Sequence, residues 1–210
     1  MTQAEDGGDA VIHIVDDDRA AREGLDFLLS SLGLTVASHA SAANLLERIG
    51  DTLVGCILAD VRMPGMTGLE LLDELGRRDC PLPVIMITGH GDVPMAVRAM
   101  RAGAMDFFEK PVNGMALVER INEALRLSRD RAAAARDRSD LMARVERLSA
   151  REAEVARGVL AGKQNKVIAA DLGISQKTVE IHRHNAMDKL NASSAAELVR
   201  LLVAAGWGET

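Results

Sequence analysis

The sequence predicts an α/β chain: a doubly wound, five-stranded parallel sheet followed by a small all-α helix-turn-helix domain. Three observations carry this. Five short, β-branched apolar runs alternate with stretches of helical spacing as far as residue 127. Past residue 148 no strand pattern remains and short helices follow one another. The charge also changes sign between the two parts. Residues 1–127 hold 11 Lys/Arg against 20 Asp/Glu, and residues 128–210 hold 14 against 11, so the chain's net −6 joins an acidic module of −9 to a basic one of +3.

In chain order, a polar leader (Met1–Asp9) precedes the first strand, Val11–Val15. Leu34–Ala37, Cys56–Ala59, Val84–Thr88 and Asp106–Phe108 read as the next four. Helical spacing joins Ala21, Leu25, Leu28 and Leu29, then Leu69, Leu72 and Leu75, then Met95, Val97, Met100 and Ala104. Thr67 and Glu70 form a capping box, and Asn113 caps a helix from Met115. From Ala116 to Leu148 there is no strong breaker. Its Ala- and Arg-rich part carries Leu141, Val145 and Leu148 on one face and reads as a solvated helical linker over 128–147. A dimeric coiled coil is the alternative, but three apolar positions are fewer than the three or four heptads that would identify one. In the tail, Ser149/Glu152 and Ser194/Glu197 are capping boxes, Gly162 and Gly173 separate helices, and Ser175 opens the next. Four helices fit in 148–210, and the tight Leu172-Gly-Ile-Ser175 corner makes the helix-turn-helix candidate. The expected domains are therefore 1–127 and 148–210, joined by the linker.

Composition excludes several classes. A hydrophobic fraction of 48% fills cores and argues against disorder, while three Phe, one Trp and no Tyr cannot build an aromatic stacking platform for single-stranded nucleic acid. Cys56 and Cys80 make no disulfide framework, so reduced thiols and a cytoplasmic location are expected. No signal-peptide pattern precedes Val11, no apolar run approaches a membrane span, and no Gly-x4-Gly-Lys-Ser/Thr run offers a P-loop.

Ligands of open α/β sheets sit at the carboxyl ends of the strands. Here those ends are polar: Asp16-Asp17-Asp18 after the first, Asp60 after the third, Thr88-Gly89 after the fourth and Lys110-Pro111 after the fifth. With strand order 2-1-3-4-5 the carboxylates become neighbours, and Thr88 and Lys110 arrive from the other side. Crowded carboxylates repel, so such a site raises a pKa or recruits a hard cation, for which Mg²⁺ fits oxygen ligands that leave room for water. One carboxylate can then attack a phosphoryl group while the metal, Lys110 and the Thr88 hydroxyl stabilise charge on the transferred oxygens. An acidic triplet alone ordinarily caps a helix, and a Lys-Pro alone is ordinarily a turn. It is their conjunction at strand ends that points to chemistry.

These residues resemble two-component response regulators of the FixJ/NarL type, with a flavodoxin-like receiver and a LuxR-type DNA-binding domain. The matching pieces are Ile14-Val-Asp-Asp-Asp18, Ala59-Asp-Val-Arg-Met-Pro-Gly-Met-Thr-Gly68, Ile87-Thr-Gly-His-Gly91 and Asp106-Phe-Phe-Glu-Lys-Pro111. The resemblance implies that Asp60 accepts a phosphoryl group from a sensor histidine kinase. It also implies that Asp17 ligates Mg²⁺ directly beside Asp60, that Asp16 helps through water, and that the Arg62 backbone carbonyl completes the protein ligands. Thr88 and Lys110 would be the switch hydroxyl and the phosphate-pairing ammonium, with the Lys110–Pro111 bond cis. Phe107 would be the aromatic whose rotamer reports activation. Asp18 is expected to cap the first helix, and His90 to lie in a solvated loop. Such a receiver is no enzyme with a separate substrate; it assists its own Mg²⁺-dependent phosphotransfer and dephosphorylation. A competing reading, a phosphatase of the haloacid-dehalogenase type using Asp16-Asp17-Asp18, leaves the tail unexplained. A vestigial receiver would normally have lost Asp60, Thr88 or Lys110, and all three are present.

The tail resembles the LuxR-type domain through Leu148-Ser-Ala-Arg-Glu-Ala-Glu-Val155, Asn165-Lys-Val-Ile-Ala-Ala-Asp-Leu172 and Ile174-Ser-Gln-Lys-Thr-Val-Glu-Ile-His182. Gln176–Leu190 is the second helix after the turn and belongs in the major groove. Val179, Ala186 and Leu190 fall on its core side; Lys177, Glu180, Ile181 and His184 fall on an exposed side and are expected, with Thr178, at the groove. Asn165, Lys166, Arg183 and Lys189 are expected at phosphates, and His182 in packing. The expected partners are the kinase, promoter DNA, a second copy of the chain on phosphorylation and RNA polymerase, with activation of transcription as the output.

Overall fold

The computed structural model describes residues 10–50, 54–89 and 91–207. The polar leader and His90 lie outside them. The chain divides into two compact units, Met1–Ala133 and Ala134–Thr210, with the division falling inside one long helix.

In the first unit the strands are β1 (Val11–Val15), β2 (Thr35–His39), β3 (Gly55–Asp60), β4 (Val84–Thr88) and β5 (Asp106–Glu109). They form one parallel sheet in the order β2-β1-β3-β4-β5, as the sequence predicts. β2 runs two residues past its expected end because Ser38 and His39 keep pairing with Ile14 and Val15. Central β3 is buried throughout, which is why Gly-Cys-Ile-Leu-Ala-Asp carries no polar alternation. The helices are α1 (Arg19–Ser31), α2 (Ala42–Arg48), α3 (Gly68–Arg77), α4 (Val93–Arg101) and α5 (Gly114–Glu146). Ile12, Ile14, Cys56, Leu58, Ile85 and Ile87 pack on one face of the sheet with Leu29 of α1 and Leu117, Ile121 and Leu125 of α5. Val15, Ile57, Ala59 and Met86 pack on the other with residues of α2, α3 and α4.

The caps read from sequence are in place. Asp18 caps α1 by accepting from the Ala20 and Ala21 amides, Thr67 and Glu70 close a reciprocal box at α3, and Asn113 accepts from Met115 and Ala116 at α5. α5 is one unbroken helix of 33 residues. Its Leu141 and Val145, read as part of a solvated linker, instead enter the core of the second unit. Burial of this i,i+4 apolar pair outweighs the charged sequence around it, so that core begins before residue 148.

The second unit continues with α6 (Ala150–Leu160), α7 (Asn165–Leu172), α8 (Gln176–Leu190) and α9 (Ala195–Ala204). Ser149 and Glu152 form the expected box. At α9 the box is only half made: Ser194 accepts from the Glu197 amide, but the Glu197 carboxylate accepts from the Ser193 amide and hydroxyl. Between α7 and α8, Gly173 takes φ +66°, a left-handed corner that a side chain would strain. Val155, Ile168, Val179, Leu190, Leu198 and Leu202 fill the core.

Candidate functional site

The carboxyl ends of β1, β3 and β5 bring three charged side chains together. Asp60, the last residue of β3, is 6% exposed, and Asp16, just past β1, is 2% exposed. Lys110, just past β5, donates to both: its Nζ lies 2.9 Å from Asp60 Oδ1 and 2.5 Å from Asp16 Oδ2. Asp60 Oδ2 accepts from the Arg62 amide at 2.6 Å, and Asp16 Oδ1 accepts from the Asp18 amide at 2.9 Å. Two buried carboxylates thus share one half-buried ammonium and the site retains a negative charge. Burial alone would lower the Lys110 pKa; the hydrogen bonds and charges of Asp16 and Asp60 prevail and hold it above its ordinary value.

The backbone frames this cluster closely. Lys110 N–H donates to the Thr88 carbonyl at 2.7 Å, and the Lys110–Pro111 peptide bond is cis, as the resemblance implies. A Cβ on Gly68 would collide with the Asp60 carbonyl oxygen, so the Gly of Met66-Thr-Gly68 lets α3 start against the end of β3. Thr88 is fully buried at the end of β4. A Cβ on Gly91 would meet both Thr88 Cγ2 and a Phe107 ring carbon at 3.1 Å, which puts Phe107 beside Thr88. Phe107 is half-buried and packs on the α3–α4 side of the sheet.

Asp17 is exposed next to Asp16. Among the described residues no three His, Cys, Asp or Glu side chains are gathered into a metal cage. The donors that converge are the two carboxylates of Asp16 and Asp60, which suits a cation that keeps most of its own water. For Arg62 it is the amide, not the carbonyl, whose partner is seen.

Reading from sequence missed Arg22. Its Nη1 donates to the Asp16 carbonyl at 2.5 Å. The signal was present, since α-helical spacing returns residue 22 to the side of its cap, Asp18, and hence to the end of β1. It missed as well the stacked, buried pair His13 and His39, whose nitrogens lie 3.1 Å apart. Burial first, and the neighbouring His39 second, push His13 down to about 4.

In the second unit α8 presents the face expected of it. Val179, Ala186 and Leu190 are buried, while Lys177, Glu180, Ile181 and His184 are exposed, Ile181 by 52%. His184 lies 3.3 Å from Asp188. Thr178 is half-buried at the start of α8, its hydroxyl 2.7 Å from that of Ser175. Arg183 reaches back to Asn165 Oδ1 at 3.3 Å, tying the two helices of the motif, and Lys166 is exposed on α7. Lys189 is turned elsewhere than expected. Its ammonium bonds to the buried Glu152 carboxylate at 2.6 Å and to the Arg147 carbonyl at 3.1 Å, inside the unit. Burial would raise the Glu152 pKa, but the bonds from Lys189 and Ser149 hold it below the usual carboxylate value.

Two family models match. The response regulator receiver domain covers residues 12–122, and the luxR family of bacterial regulatory proteins covers 146–202. The transcriptional regulatory protein FixJ of Azorhizobium caulinodans is 48% identical over 93% of this chain and 92% of its own length. The response regulator protein TodT of Pseudomonas putida is 44% identical over 91% and 85%. Among solved structures, the response regulator StyR superposes with a TM-score of 0.84 at 41% identity, over 93% of this chain and 99% of its own. Full-length FixJ from B. japonicum gives 0.57 at 43% identity, over 94% and 98%. No helix among the described residues is long and apolar enough to cross a membrane.

Proposed function

The chain belongs to the two-component response regulators that join a receiver to a LuxR-type DNA-binding domain, and from that premise we propose that Asp60 is the phosphoacceptor controlling its binding to promoter DNA. The observation that carries the proposal is the Lys110 ammonium held between the carboxylates of Asp60 and Asp16 at the ends of three parallel strands. An Asp60 carboxylate oxygen attacks the phosphorus of a sensor kinase's phosphohistidine. The O–P bond forms, the N–P bond breaks, and the imidazole leaves with the electron pair.

The converging carboxylates of Asp16 and Asp60 fit Mg²⁺, which commonly binds through one or two carboxylates plus water, and Asp17 and the Arg62 carbonyl would complete the set. Bound there, the ion would supply charge neutralisation for the phosphoryl oxygens. Lys110 is already aimed at the acceptor oxygen and pairs with the phosphoryl group once its hold on Asp60 is released. Thr88, at the neighbouring strand end, offers its hydroxyl to the same oxygens, and Phe107 moves with it. The receiver acts on its own phosphoryl group and on no separate substrate.

Phosphorylation shifts the receiver between two states and brings two chains together, which places two α8 helices on paired half-sites. Lys177, Thr178, Glu180, Ile181 and His184 then face base edges, while Asn165, Lys166 and Arg183 lie toward phosphates. The output is activation through RNA polymerase in the cytoplasm. The test is labelling by acetyl phosphate and Mg²⁺, wild type against Asp60→Asn. Stoichiometric labelling of wild type and none of the variant is expected; equal labelling overturns the assignment.

A further inference from the structure

β1 pairs with its neighbours only as far as Val15, opposite His39 and Ala59. The Asp16 carbonyl therefore projects past the ladder, in a residue that is 2% exposed. An unpaired buried carbonyl costs about as much as a lost hydrogen bond. Arg22, in the first turns of α1, supplies the missing donor through its Nη1. The other polar groups of Asp16 are engaged too. Its amide donates to the His39 carbonyl at 3.2 Å, Oδ1 accepts from Asp18, and Oδ2 accepts from Lys110.

The Arg22 bond differs from these in what it fixes. It grips the carbonyl of the peptide joining Asp16 to Asp17, and that peptide is planar, so holding its oxygen also sets the direction in which Asp17 leaves. A bond from a guanidinium to a buried carbonyl is charge-assisted and correspondingly firm. The rest of Arg22 borders an open basin of about 420 Å³ between α1 and the β2–α2 turn, along with Ser38, Ser41 and Asn44. Replacing it thus removes a strut and leaves the apolar core intact.

We propose that Arg22 is a positioning residue of the divalent-cation site, holding the peptide between Asp16 and Asp17 so that both carboxylates converge beside Asp60. The proposal rests on the reading of this cluster as a Mg²⁺-dependent phosphoacceptor. Groups that orient metal ligands from behind are commonly worth about 10- to 100-fold in affinity, and a single strut on the backbone belongs at the lower end, about 10-fold.

The test uses the full chain with Arg22→Met, Arg22→Gln and Arg22→Lys. Mg²⁺ is titrated by calorimetry without a phosphodonor, and labelling by acetyl phosphate is followed across Mg²⁺ concentrations. Arg22→Met is expected to raise the Mg²⁺ dissociation constant about 10-fold. Its labelling should fall more at low than at saturating Mg²⁺, and Arg22→Lys, which keeps a charged donor, should recover most of the loss. Arg22→Gln, too short to reach the carbonyl, should behave as Met does and decides the matter if the Met variant does not fold. An unchanged dissociation constant, or a Lys variant as weak as the Met variant, overturns the proposal while wild type still labels at Asp60. A wild type that does not label overturns the acceptor reading instead.

Discussion

The proposed acceptor cluster and the exposed face of α8 are built in opposite ways. At the cluster both oxygens of Asp60 are already engaged, Asp16 is bonded at every polar group, and one ammonium serves two carboxylates. On α8, Lys177, Glu180 and Ile181 lie exposed to solvent. Group transfer depends on charges fixed before the reaction begins, since reorganising them would cost free energy at the transition state. Reading a base edge tolerates mobile side chains, because the duplex itself orders them on binding. A substitution at the first site should therefore act almost as a switch, and one at the second should act by degrees.

The sharpest break of this comparison is Lys110→Met. It removes the cation that compensates two buried carboxylates and that would pair with the incoming phosphoryl group. Losing one preorganised electrostatic stabiliser ordinarily costs about 100- to 1000-fold in rate. The labelling rate at saturating Mg²⁺ should fall by about that factor, while binding of operator DNA by the unphosphorylated chain stays as it was. A fall of only a few-fold would mean that the cluster is less dependent on fixed charge than its geometry implies.

The same contrast explains how much could be read beforehand. Strand order, the acidic ends of β1 and β3, and Thr88 and Lys110 were legible because each is a short signal repeated at one structural position, the end of a strand. The exposed and buried sides of α8 followed from helical periodicity. What escaped were partnerships made across elements. Lys189 is expected at a phosphate from sequence because helical spacing carries no information about Glu152, 37 residues earlier. Arg22 was passed over because its partner is a backbone carbonyl, which has no letter in a sequence. His13 and His39 stack only because the parallel pairing of β1 with β2 brings together residues 26 positions apart.

That histidine pair gives the next test, because it places a buried histidine with a lowered pKa in the first unit. Burial holds His13 at about 4, below its ordinary 6.5, so the folded first unit resists taking a proton that the unfolded chain accepts readily. Between those values the unfolded state binds more protons, and stability falls as the pH drops. The stabilising contribution is whole above about 6.5 and is lost progressively on the way down to 4, at most about 3 kcal/mol at 1.36 kcal/mol per unit once partial solvent screening is allowed for. In the second unit His182 is half-buried and His184 exposed. Trp207 is the only tryptophan of the chain and packs in the second unit, so its fluorescence follows that unit, while amide exchange in β1 follows the first. From pH 7 to 5 the protection factors of the β1 amides, corrected for the intrinsic slowing of exchange at lower pH, should fall well before the fluorescence changes, and His13→Leu should remove most of the difference. Parallel loss of both signals would show that the pair does not set the acid sensitivity.

The smallest effects separate two lysines that look alike in sequence. Lys166 is exposed on α7, and if it neutralises one phosphate, Lys166→Gln should weaken all DNA sequences uniformly and reduce the slope of log affinity against log salt by about 1. Lys189 already bonds to Glu152 and Arg147, so Lys189→Gln should leave that slope unchanged. It should instead destabilise the second unit by about 1–2 kcal/mol, since Glu152 is buried and loses its charged partner while the Lys189 side is partly open to solvent. Urea unfolding followed at Trp207 measures the second quantity and salt-dependent DNA binding the first. If Lys189→Gln shifts the salt slope and spares stability, Lys189 exchanges its internal carboxylate for a phosphate on binding. The rule that exposed α8 groups act by degrees would then extend to a residue that is paired in the free protein.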